Sequence, residues 1–493
     1  MTDTRRYAID SSVRRAGDGT VLIGGSPLKL FRLTSAGARL IDSIESGMPF
    51  TPSPAIDALI DRLVDAGVLH PISSHLDSDA AARVGDITVV IPAYNTSHAE
   101  LTRLVLQCRD CGAASLAAIV IVDDASEPPL EQIAGTTVVR VQVNGGPSAS
   151  RAIGLAYVST PIVAFVDTDV ELTPDWLTPL LGHFADVRVG LVAPRVASTA
   201  GISLLARYET LSSPLDLGDQ PARIRSGTRV SYVPAALMVC RVDALRSVNG
   251  FDPTMRVGED VDLVWRLDAA GWQVRYEPVV TVHHRPRATW GAWLRQRRAY
   301  GSSAAPLAQR HPGALAPVRV SVWSAASWLA VAVGLPIVGG AVAAVTTALL
   351  VRKMRAIPDG PRQAVRLAGL GHLFAGRSLA SGVSRAWWPL TLAAALLSKR
   401  ARRVALVALT VPATIDWLKQ RPSIDPARYI ALRVLDDLAY GSGLWQGCAK
   451  SRSVDALVPD LTSWPNAAPH PAPRVHQGTT SPLSLAPETS TAQ

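Results

Sequence analysis

The chain has 493 residues, which predicts two or three domains, and its 48% hydrophobic and 18% charged residues make it apolar for a water-soluble enzyme. The net charge of +9 is uneven, because residues 278–415 hold 18 Lys or Arg and one acid, whereas the rest holds 31 basic and 39 acidic residues. Because this basic region is also apolar, it indicates an anionic membrane surface as its partner. No nucleic-acid-binding motif accompanies it, so nucleic acid is not the predicted partner.

The first 84 residues have the pattern of a small domain. Residues 20–33 are typical of two short strands around a Gly-Gly-Ser-Pro turn, and residues 35–47 and 53–71 of two amphipathic helices. Ser53 is the predicted N-cap of the second helix, because its hydroxyl can accept from the free backbone N–H groups of the first turn. The polar residues 75–86 that follow are predicted to be a linker.

From residue 87 strands and helices alternate, which predicts a mainly parallel sheet covered on both faces. The predicted strands are residues 87–95, 116–126, 138–144 and 161–169, and the predicted helices are residues 97–112 and 148–159. Cys108 and Cys111 fall in the first helix and, with no second pair near them, are predicted to be two structural thiols rather than a zinc site.

Polar side chains follow four of these strands. They are Tyr94 and Asn95, Asp123 and Asp124, Asn144, and finally Asp167 and Asp169. Ligands bind at the carboxyl ends of strands in such sheets, so this placement predicts one shared site. The last pair can offer carboxylate oxygens to Mg²⁺ or Mn²⁺, although a lone Asp-x-Asp is more often a turn or a cap.

The chain changes character after about residue 318. Residues 320–351 are uncharged, which is generous for one membrane span and short for two. Shorter apolar runs at 386–398 and 404–415 have basic and tryptophan flanks, which are typical of interfacial helices. We therefore expect a membrane-associated helical region over 317–455, the alternative being a buried helical domain. The Pro/Ser/Thr-rich residues 456–493 are predicted to be disordered.

Several motifs in residues 86–316 are similar to those of the inverting family-two glycosyltransferases, which have the α/β GT-A fold. "VVIPAYN" (89–95), "IVDDAS" (121–126) and "NGGPSASRAIG" (144–154) match the family in order, although Ser150 and Ala152 depart from its usual residues. The resemblance implies a pocket for a nucleoside-diphosphate sugar donor. Its donor-binding residues would be Ala93, Tyr94, Asp124, Asn144, Gly145, Arg151 and Asp167. Arg151 can answer either phosphate or carboxylate charge.

The same resemblance makes "VDTD" (166–169) the metal motif. Asp169 is then the stronger ligand for Mg²⁺ or Mn²⁺, and Asp167 a second ligand that lies nearer the ribose. His283 or His284 could complete the metal site, since imidazole accepts Mn²⁺, or the pair could simply close a strand.

Glu259 and Asp260 begin a predicted helix and resemble the family's Glu-Asp element. The family uses this Asp as the general base that deprotonates the acceptor hydroxyl, so Asp260 would be the base and Glu259 an acceptor-side partner. Inversion would then give a β-linked product from an α-linked donor. Taken alone, a carboxylate at this position is more often a helix cap.

"RQRRAYG" (295–301) is similar to the Gln-x-x-Arg-Trp element of processive polysaccharide synthases, with Tyr300 where that element has Trp. Arg297 and Arg298 are alternatively predicted to contact the diphosphate of the donor. Trp290 and Trp293 could stack on sugar rings or anchor an interfacial helix.

The amino-terminal segment resembles the small winged-helix, PqqD-like domains that hold peptide precursors. Followed by a family-two catalytic domain and an apolar region, it makes the chain similar to the mycofactocin system glycosyltransferases. That resemblance implies glucose transfer, from UDP-glucose, to a peptide-derived redox cofactor, building a β-1,4-glucan chain. The alternatives are a cell-envelope transferase that moves rhamnose, galactofuranose or glucose to a lipid-linked acceptor, and a peptide-binding scaffold without activity. We expect the protein at the cell membrane with its catalytic domain in the cytoplasm, since the chain shows no signal peptide.

Overall fold

The computed structural model describes residues 6–72, 84–111 and 115–462. Residues 463–493 of the predicted disordered tail and residues 75–83 of the predicted linker lie outside the described residues. The start of the predicted tail is ordered, because Ala456 is buried and residues 460–462 pair as a strand with residues 319–321. The predicted domain boundaries at residues 84, 316 and 455 stay predictions.

The amino-terminal region contains the predicted hairpin and both predicted helices, but the second helix ends at Asp65, and residues 69–71, predicted as helix, form a strand beyond the left-handed Gly67. Its elements are β1 (Tyr7–Ile9), β2 (Arg14–Ala16), β3 (Val21–Gly24), β4 (Lys29–Arg32), α1 (Ser35–Glu45), α2 (Pro54–Asp65) and β5 (Leu69–Pro71). β2, β3 and β4 form an antiparallel sheet, and β1 pairs with β5. The Ser53 hydroxyl accepts from the Ile56 N–H at 3.3 Å, so the predicted cap is present.

The central region is an α/β layer structure around one sheet. Its strands are β6 (Ile87–Ala93), β7 (Ala118–Asp124), β8 (Thr137–Val141), β9 (Ile162–Val166), β10 (Val170–Glu171), β11 (Val189–Ser198), β12 (Ala222–Ile224), β13 (Leu237–Arg241) and β14 (Gln273–His284). The helices in this region are α3 (His98–Arg109), α4 (Pro147–Ala156), α5 (Thr178–Leu181), α6 (Leu204–Ser212), α7 (Val242–Ser247), α8 (Glu259–Ala269), α9 (Trp290–Ser302) and α10 (Ala304–Arg310).

The nine strands form a mixed sheet in the order β10-β14-β11-β13-β9-β6-β7-β8, with β12 paired to β14. The strands β9, β6, β7 and β8 are mutually parallel, as predicted, but β13 enters antiparallel between β9 and β11. Strand residues such as Val89 and Val163 are fully buried because apolar clusters cover both faces of the sheet. Cys108, at the end of α3, and Cys111, just beyond it, are buried free thiols.

The carboxy-terminal region is helical. It contains β15 (Arg319–Ser321), α11 (Val322–Ala332), α12 (Pro336–Met354), α13 (Gly360–Ser381), a π-helical turn (Gly382–Ala386), α14 (Trp388–Leu397), α15 (Lys399–Gln420), α16 (Pro426–Ser451) and β16 (Asp460–Thr462). The apolar run 320–351 is broken at residues 333–335, where Gly334 has a φ of 87° and Pro336 starts a new helix. Among the described residues one helix, α12, is long and apolar enough to cross a membrane.

Helix α16 packs closely against α9, and this contact ties the carboxy-terminal helices to the sheet domain. A side chain at Gly301 would lie 1.9 Å from the Tyr440 carbonyl oxygen, and one at Gly443 would lie 1.9 Å from the Arg298 carbonyl oxygen. The small residues therefore allow the two backbones to touch. The carboxy-terminal helices consequently reach the carboxyl ends of the central strands.

Candidate active site

A cavity of 1220 Å³ opens at the carboxyl end of β9. Its walls come from the segment after β9, the start of α8, the helices α4, α9 and α10, the segments before β12 and β13, and the carboxy-terminal helices. The lining includes Arg151, Asp167, Asp169, Glu259, Asp260, His284 and Arg297, all of which the sequence singled out. The volume exceeds what a single small ligand needs, so two substrates can be present together.

Arg151 lies at the centre of the charged groups. It projects from α4, is 1% exposed, and donates from Nη2 to Asp167 Oδ1 at 2.5 Å and from Nη1 to Glu259 Oε1 at 2.9 Å. Of the two roles predicted for Arg151, the structure therefore supports the pairing with carboxylates, because both ends of its guanidinium are already engaged. Arg151 joins the end of β9 to the start of α8.

The two carboxylates after β9 have different surroundings. Burial raises the pKa of Asp167 above its usual range, although the adjacent Arg151 opposes that effect. Burial would also raise the pKa of Asp169, but the hydrogen bond to His284 and the charges of His284 and Arg287 together hold it below its usual range. Asp169 is therefore ionised near neutral pH and pairs with His284, whereas Asp167 pairs with Arg151.

His284, rather than His283, faces Asp169. Strand pairing sets Val170 opposite His284 and Glu171 opposite His283, so the two imidazoles point to opposite faces of β14. His284 Nε2 lies 3.0 Å from Asp169 Oδ2. Within the part of the chain that the structure describes, no group of three or more His, Cys, Asp or Glu side chains could hold a metal. Asp169 and His284 nevertheless fit a Mn²⁺ or Mg²⁺ that takes its other ligands from phosphate and water.

Asp260 lines the cavity from the first turn of α8. Gly258, whose φ is 82°, holds the N-cap position, so Asp260 is not the cap that the alternative prediction made it. Its carboxylate accepts from the Val261 N–H at 2.8 Å and from the Ala235 N–H at 3.4 Å. Burial and the like charge of Glu259 raise the pKa of Asp260 to about 7. A carboxylate with this pKa can take up a proton near neutral pH.

Glu259 pairs with Arg151 in the structure. Its carboxylate is buried against Arg151, where it balances part of the guanidinium charge. Its predicted acceptor-side role stays a prediction.

The predicted donor loops contact one another, but the cavity lining does not include the donor residues Ala93, Tyr94, Asp124, Asn144 and Gly145; the link to the cavity is Arg256, which lines it and bonds Asn144. The Asp124 carboxylate accepts from the Gly145 and Gly146 N–H groups, each at 2.8 Å, and Asn144 Nδ2 donates to the Asp124 carbonyl at 3.2 Å. Ala93 is buried at the end of β6, and the next residue, Tyr94, is exposed. Asp124 thus holds the loop after β8 against the loop after β7.

The two arginines of α9 are both paired with side chains of the protein. Arg297 is buried against Glu209, and its Nε donates to Asp436 Oδ1 at 2.9 Å. Arg298 lies outside the cavity, where its Nε donates to Gln446 Oε1 at 2.9 Å. The reason is that α16 covers this side of α9 and supplies carboxylate and amide partners for both side chains.

Arg256 and Arg287 are cavity residues that the sequence did not single out. Arg256 Nη2 donates to the Asn144 carbonyl at 2.9 Å, and Arg287 Nη1 lies 3.5 Å from Asp169 Oδ2. Each is about two-fifths exposed or more, so each retains donors for a ligand anion. Their only sequence signal was proximity to the Glu-Asp and His-His motifs.

Helix α16 also contributes to the cavity, which the sequence did not predict. Its contribution consists of Tyr429, Arg433, Asp436, Asp437 and Tyr440. Trp293 Nε1 donates to Glu209 at 2.8 Å and the Trp293 ring is fully buried, so of the two tryptophans of α9 only Trp290 is exposed. The signal that could have revealed α16 is the adjacent pair Asp436-Asp437 within an otherwise apolar segment.

Comparisons with known proteins identify similar glycosyltransferases. The family model for glycosyl transferase family 2 matches residues 88–246. A pre-mycofactocin glycosyltransferase of Mycobacterium tuberculosis (strain ATCC 25618 / H37Rv) is 40% identical over 485 residues, covering 94% of this chain and 100% of the relative. Polypeptide N-acetylgalactosaminyltransferase 4 of Caenorhabditis elegans is 25% identical over 222 residues, covering 40% of this chain and 38% of the relative. A crystal structure of GalNAc-T7 with UDP, GalNAc and Mn²⁺ aligns with a TM-score of 0.34 at 16% identity, covering 45% of this chain and 51% of that one.

Proposed function

The chain belongs to the pre-mycofactocin glycosyltransferase family, and from that premise we propose that it transfers glucose from UDP-glucose to pre-mycofactocin, with inversion, and extends a β-1,4-glucan chain on that acceptor. One observation carries the proposal beyond the family. A half-buried carboxylate whose pKa is raised to about 7, Asp260, shares a cavity with the carboxylate of Asp169.

The donor half of the reaction is assigned to the loops after β6, β7, β8 and β9. Backbone N–H groups at Gly145 and Gly146 are held by Asp124, which fixes the loop beside the cavity for a nucleotide. Arg256 and Arg287 replace Arg297 and Arg298 as the cations that meet the diphosphate, because their guanidinium groups are partly exposed in the cavity.

We assign a divalent cation, Mg²⁺ or Mn²⁺, to Asp169 and His284. When bound, it neutralises the charge of the diphosphate leaving group. Asp167 is the weaker ligand, because its Oδ1 is committed to Arg151. His283 has no role in this assignment because it lies on the other face of β14.

Asp260 is the general base. It accepts the proton of the acceptor hydroxyl as that oxygen forms a bond to the anomeric carbon and the bond from that carbon to the diphosphate oxygen breaks on the opposite side. Arg151 and Glu259 fix the charges next to this base, because the Arg151 guanidinium binds both Asp167 after β9 and Glu259 at the start of α8. Direct displacement of this kind inverts the anomeric configuration.

The regions on either side of the catalytic domain are assigned to recognition of the acceptor and to binding of the membrane. We propose that residues 1–84 form a PqqD-like peptide-recognition domain, supported by its hairpin and two capped helices. We also propose that the protein binds the membrane with its catalytic domain in the cytoplasm, supported by the exposed leucine, valine and tryptophan side chains of α11 to α15.

Mass spectrometry of cell extracts tests the function. Cells that make the wild-type chain should contain a peptide-derived cofactor with a ladder of added hexoses, and cells that make Asp260→Asn should lack the ladder. An unchanged cofactor, with a sugar missing instead from an envelope lipid, would replace the proposal by the lipid-linked transferase that the exposed apolar helices also favour.

A further inference from the structure

Two helical hairpins form the apolar part of the carboxy-terminal region. Helices α11 and α12 reverse at residues 333–335, and helices α14 and α15 reverse at Ser398. The reversals touch, because Arg400 Nη1 donates to the Val333 carbonyl at 2.6 Å. We call these two reversals together the hairpin tips. Around them apolar side chains are strongly exposed: Ile337 is 86% exposed and Leu397 is 88% exposed.

The first arm of each hairpin is too short to cross a bilayer. Helix α11 has 11 residues and α14 has 10, which are about 16 Å and 15 Å at a rise of 1.5 Å per residue, against a hydrocarbon core of about 30 Å. Both arms start at the body of the protein. Arg319, just before α11, pairs with Asp460 at 2.7 Å, and Trp387, just before α14, donates to the Leu457 carbonyl at 2.9 Å. Neither arm can therefore be extended without unfolding the body.

Among the residues that the structure describes, α12 is the one helix both long and apolar enough to cross a membrane, and part of it packs against the amino-terminal sheet. Near the end of α12, Leu350, Val351 and Met354 pack against Ala16, Val21 and Ile23 of the amino-terminal sheet. Only residues 336–349 of α12 remain for lipid, about 21 Å. If α12 crossed a bilayer, part of the amino-terminal sheet would have to enter the hydrocarbon.

The charges near the tips favour the membrane surface. Lys399, Arg400, Arg402 and Arg403 begin α15 directly at the tips, and Arg402 and Arg403 are exposed. Tips pushed into the middle of a bilayer would take these cations with them, whereas helices that lie along the surface leave them among lipid headgroups. The same cations complement the phosphates of anionic lipids.

We propose that the hairpins α11–α12 and α14–α15 insert into a single leaflet of an anionic membrane without crossing it, with Lys399, Arg400, Arg402 and Arg403 on the lipid phosphates. The inference rests on the membrane binding included in the proposed function. It states that no helix of the protein spans the membrane. It also puts the active-site cavity beside the lipid surface, since Arg377 of α13 and Asp416 of α15 line that cavity.

Thiol labelling tests whether the tips cross. Leu335→Cys and Leu397→Cys each place one exposed thiol at the tips, and the four native cysteines are buried, so background labelling is low. A membrane-impermeant maleimide should label neither variant in intact cells and should label both once the membranes are dissolved in detergent. Labelling of either tip in intact cells shows a crossing and overturns the proposal. Ile202→Cys, which is 99% exposed on the catalytic domain, is the control for intact cells.

Vesicle flotation of the full chain tests the lipid chemistry. The protein should float with vesicles that contain phosphatidylglycerol and bind phosphatidylcholine vesicles more weakly. Arg402→Gln with Arg403→Gln should weaken binding to the anionic vesicles on the order of twentyfold at low salt, whereas Arg103→Gln with Arg246→Gln should leave it unchanged. Equal loss of vesicle binding in the two double variants overturns the assignment of the hairpin tips to the lipid phosphates.

These outcomes separate the inference from the function on which it rests. If the protein binds no vesicle, both the proposed membrane binding and this inference are wrong. The proposed glucose transfer is tested separately, by comparing the wild-type protein with Asp260→Asn in solution. A crossing detected by the maleimide overturns the single-leaflet insertion alone.

Discussion

Replacement of Asp260 by Asn is the sharpest perturbation of the site. Asn keeps the size of the side chain and its acceptor oxygen for the Val261 N–H but cannot take up the proton of the acceptor hydroxyl. A positioned general base contributes about 10²- to 10⁴-fold, so kcat should fall by that factor while the donor still binds. The assay is transfer of labelled glucose from UDP-glucose, with UDP binding measured separately by calorimetry.

The pH dependence gives the same reasoning a second readout. Burial and Glu259 raise the pKa of Asp260 to about 7, and only the ionised form acts as a base. The wild-type kcat/KM should therefore rise roughly tenfold between pH 6 and pH 8. The raised pKa also implies that Asp260 contributes stability at low pH, present below the unfolded pKa and lost as pH rises through about 7.

Glu259→Gln provides the matched control for the pH argument. It removes the like charge next to Asp260 and leaves Arg151 less neutralised, and both changes lower the pKa of Asp260. The acid limb of the pH profile should move to lower pH. The reasoning is refuted if Asp260→Asn transfers glucose near the wild-type rate, or if the acid limb does not move in Glu259→Gln.

Three further variants test the surrounding structure. Arg151→Met leaves two buried carboxylates without their cation and should lower the free energy of unfolding by about 3–5 kcal/mol in urea titrations; an unchanged midpoint would contradict the pairing. Asp169→Asn should raise the Mn²⁺ concentration needed for half-maximal transfer at least about tenfold, whereas His283→Ala, on the other face of β14, should leave it unchanged. Gly301→Ala should lower the free energy of unfolding by about 1–3 kcal/mol in thermal unfolding, because its Cβ meets the Tyr440 carbonyl. Gly291→Ala is the control on the same helix, since its Cβ meets only the end of Arg295 at 3.4 Å. Equal losses in the two variants would refute the packing argument.

The central strands were predictable because their signal is local. Short apolar runs that end in polar residues identified β6, β7, β8 and β9, and the structure sets all four in parallel. The antiparallel β13 was not predicted, because nothing within residues 237–241 reveals which strand it pairs with. A strand's direction in a sheet depends on its partners and on the connections between them.

The positions of the acidic motifs were also available from the sequence, but their partners were not. Asp167, Asp169, Glu259 and Asp260 all reach one cavity, as the strand-end pattern and the family resemblance predicted. That Arg151 is committed to carboxylates depends on a contact across 108 residues of chain, between α4 and α8. No periodicity or spacing in the sequence carries that information.

The sequence by itself determined the alternation of strands and helices, the order of the carboxylate motifs and the apolar, basic character of residues 317–455, because these depend on residue types at short spacing. Only the tertiary structure decided that His284 rather than His283 faces Asp169, that Arg297 is buried by α16, and that the end of α12 is covered by the amino-terminal sheet. Each of these follows from packing between distant segments. Such packing sets the burial and the charge partner of a side chain, and these in turn decide which side chains remain free to act on a substrate or a lipid.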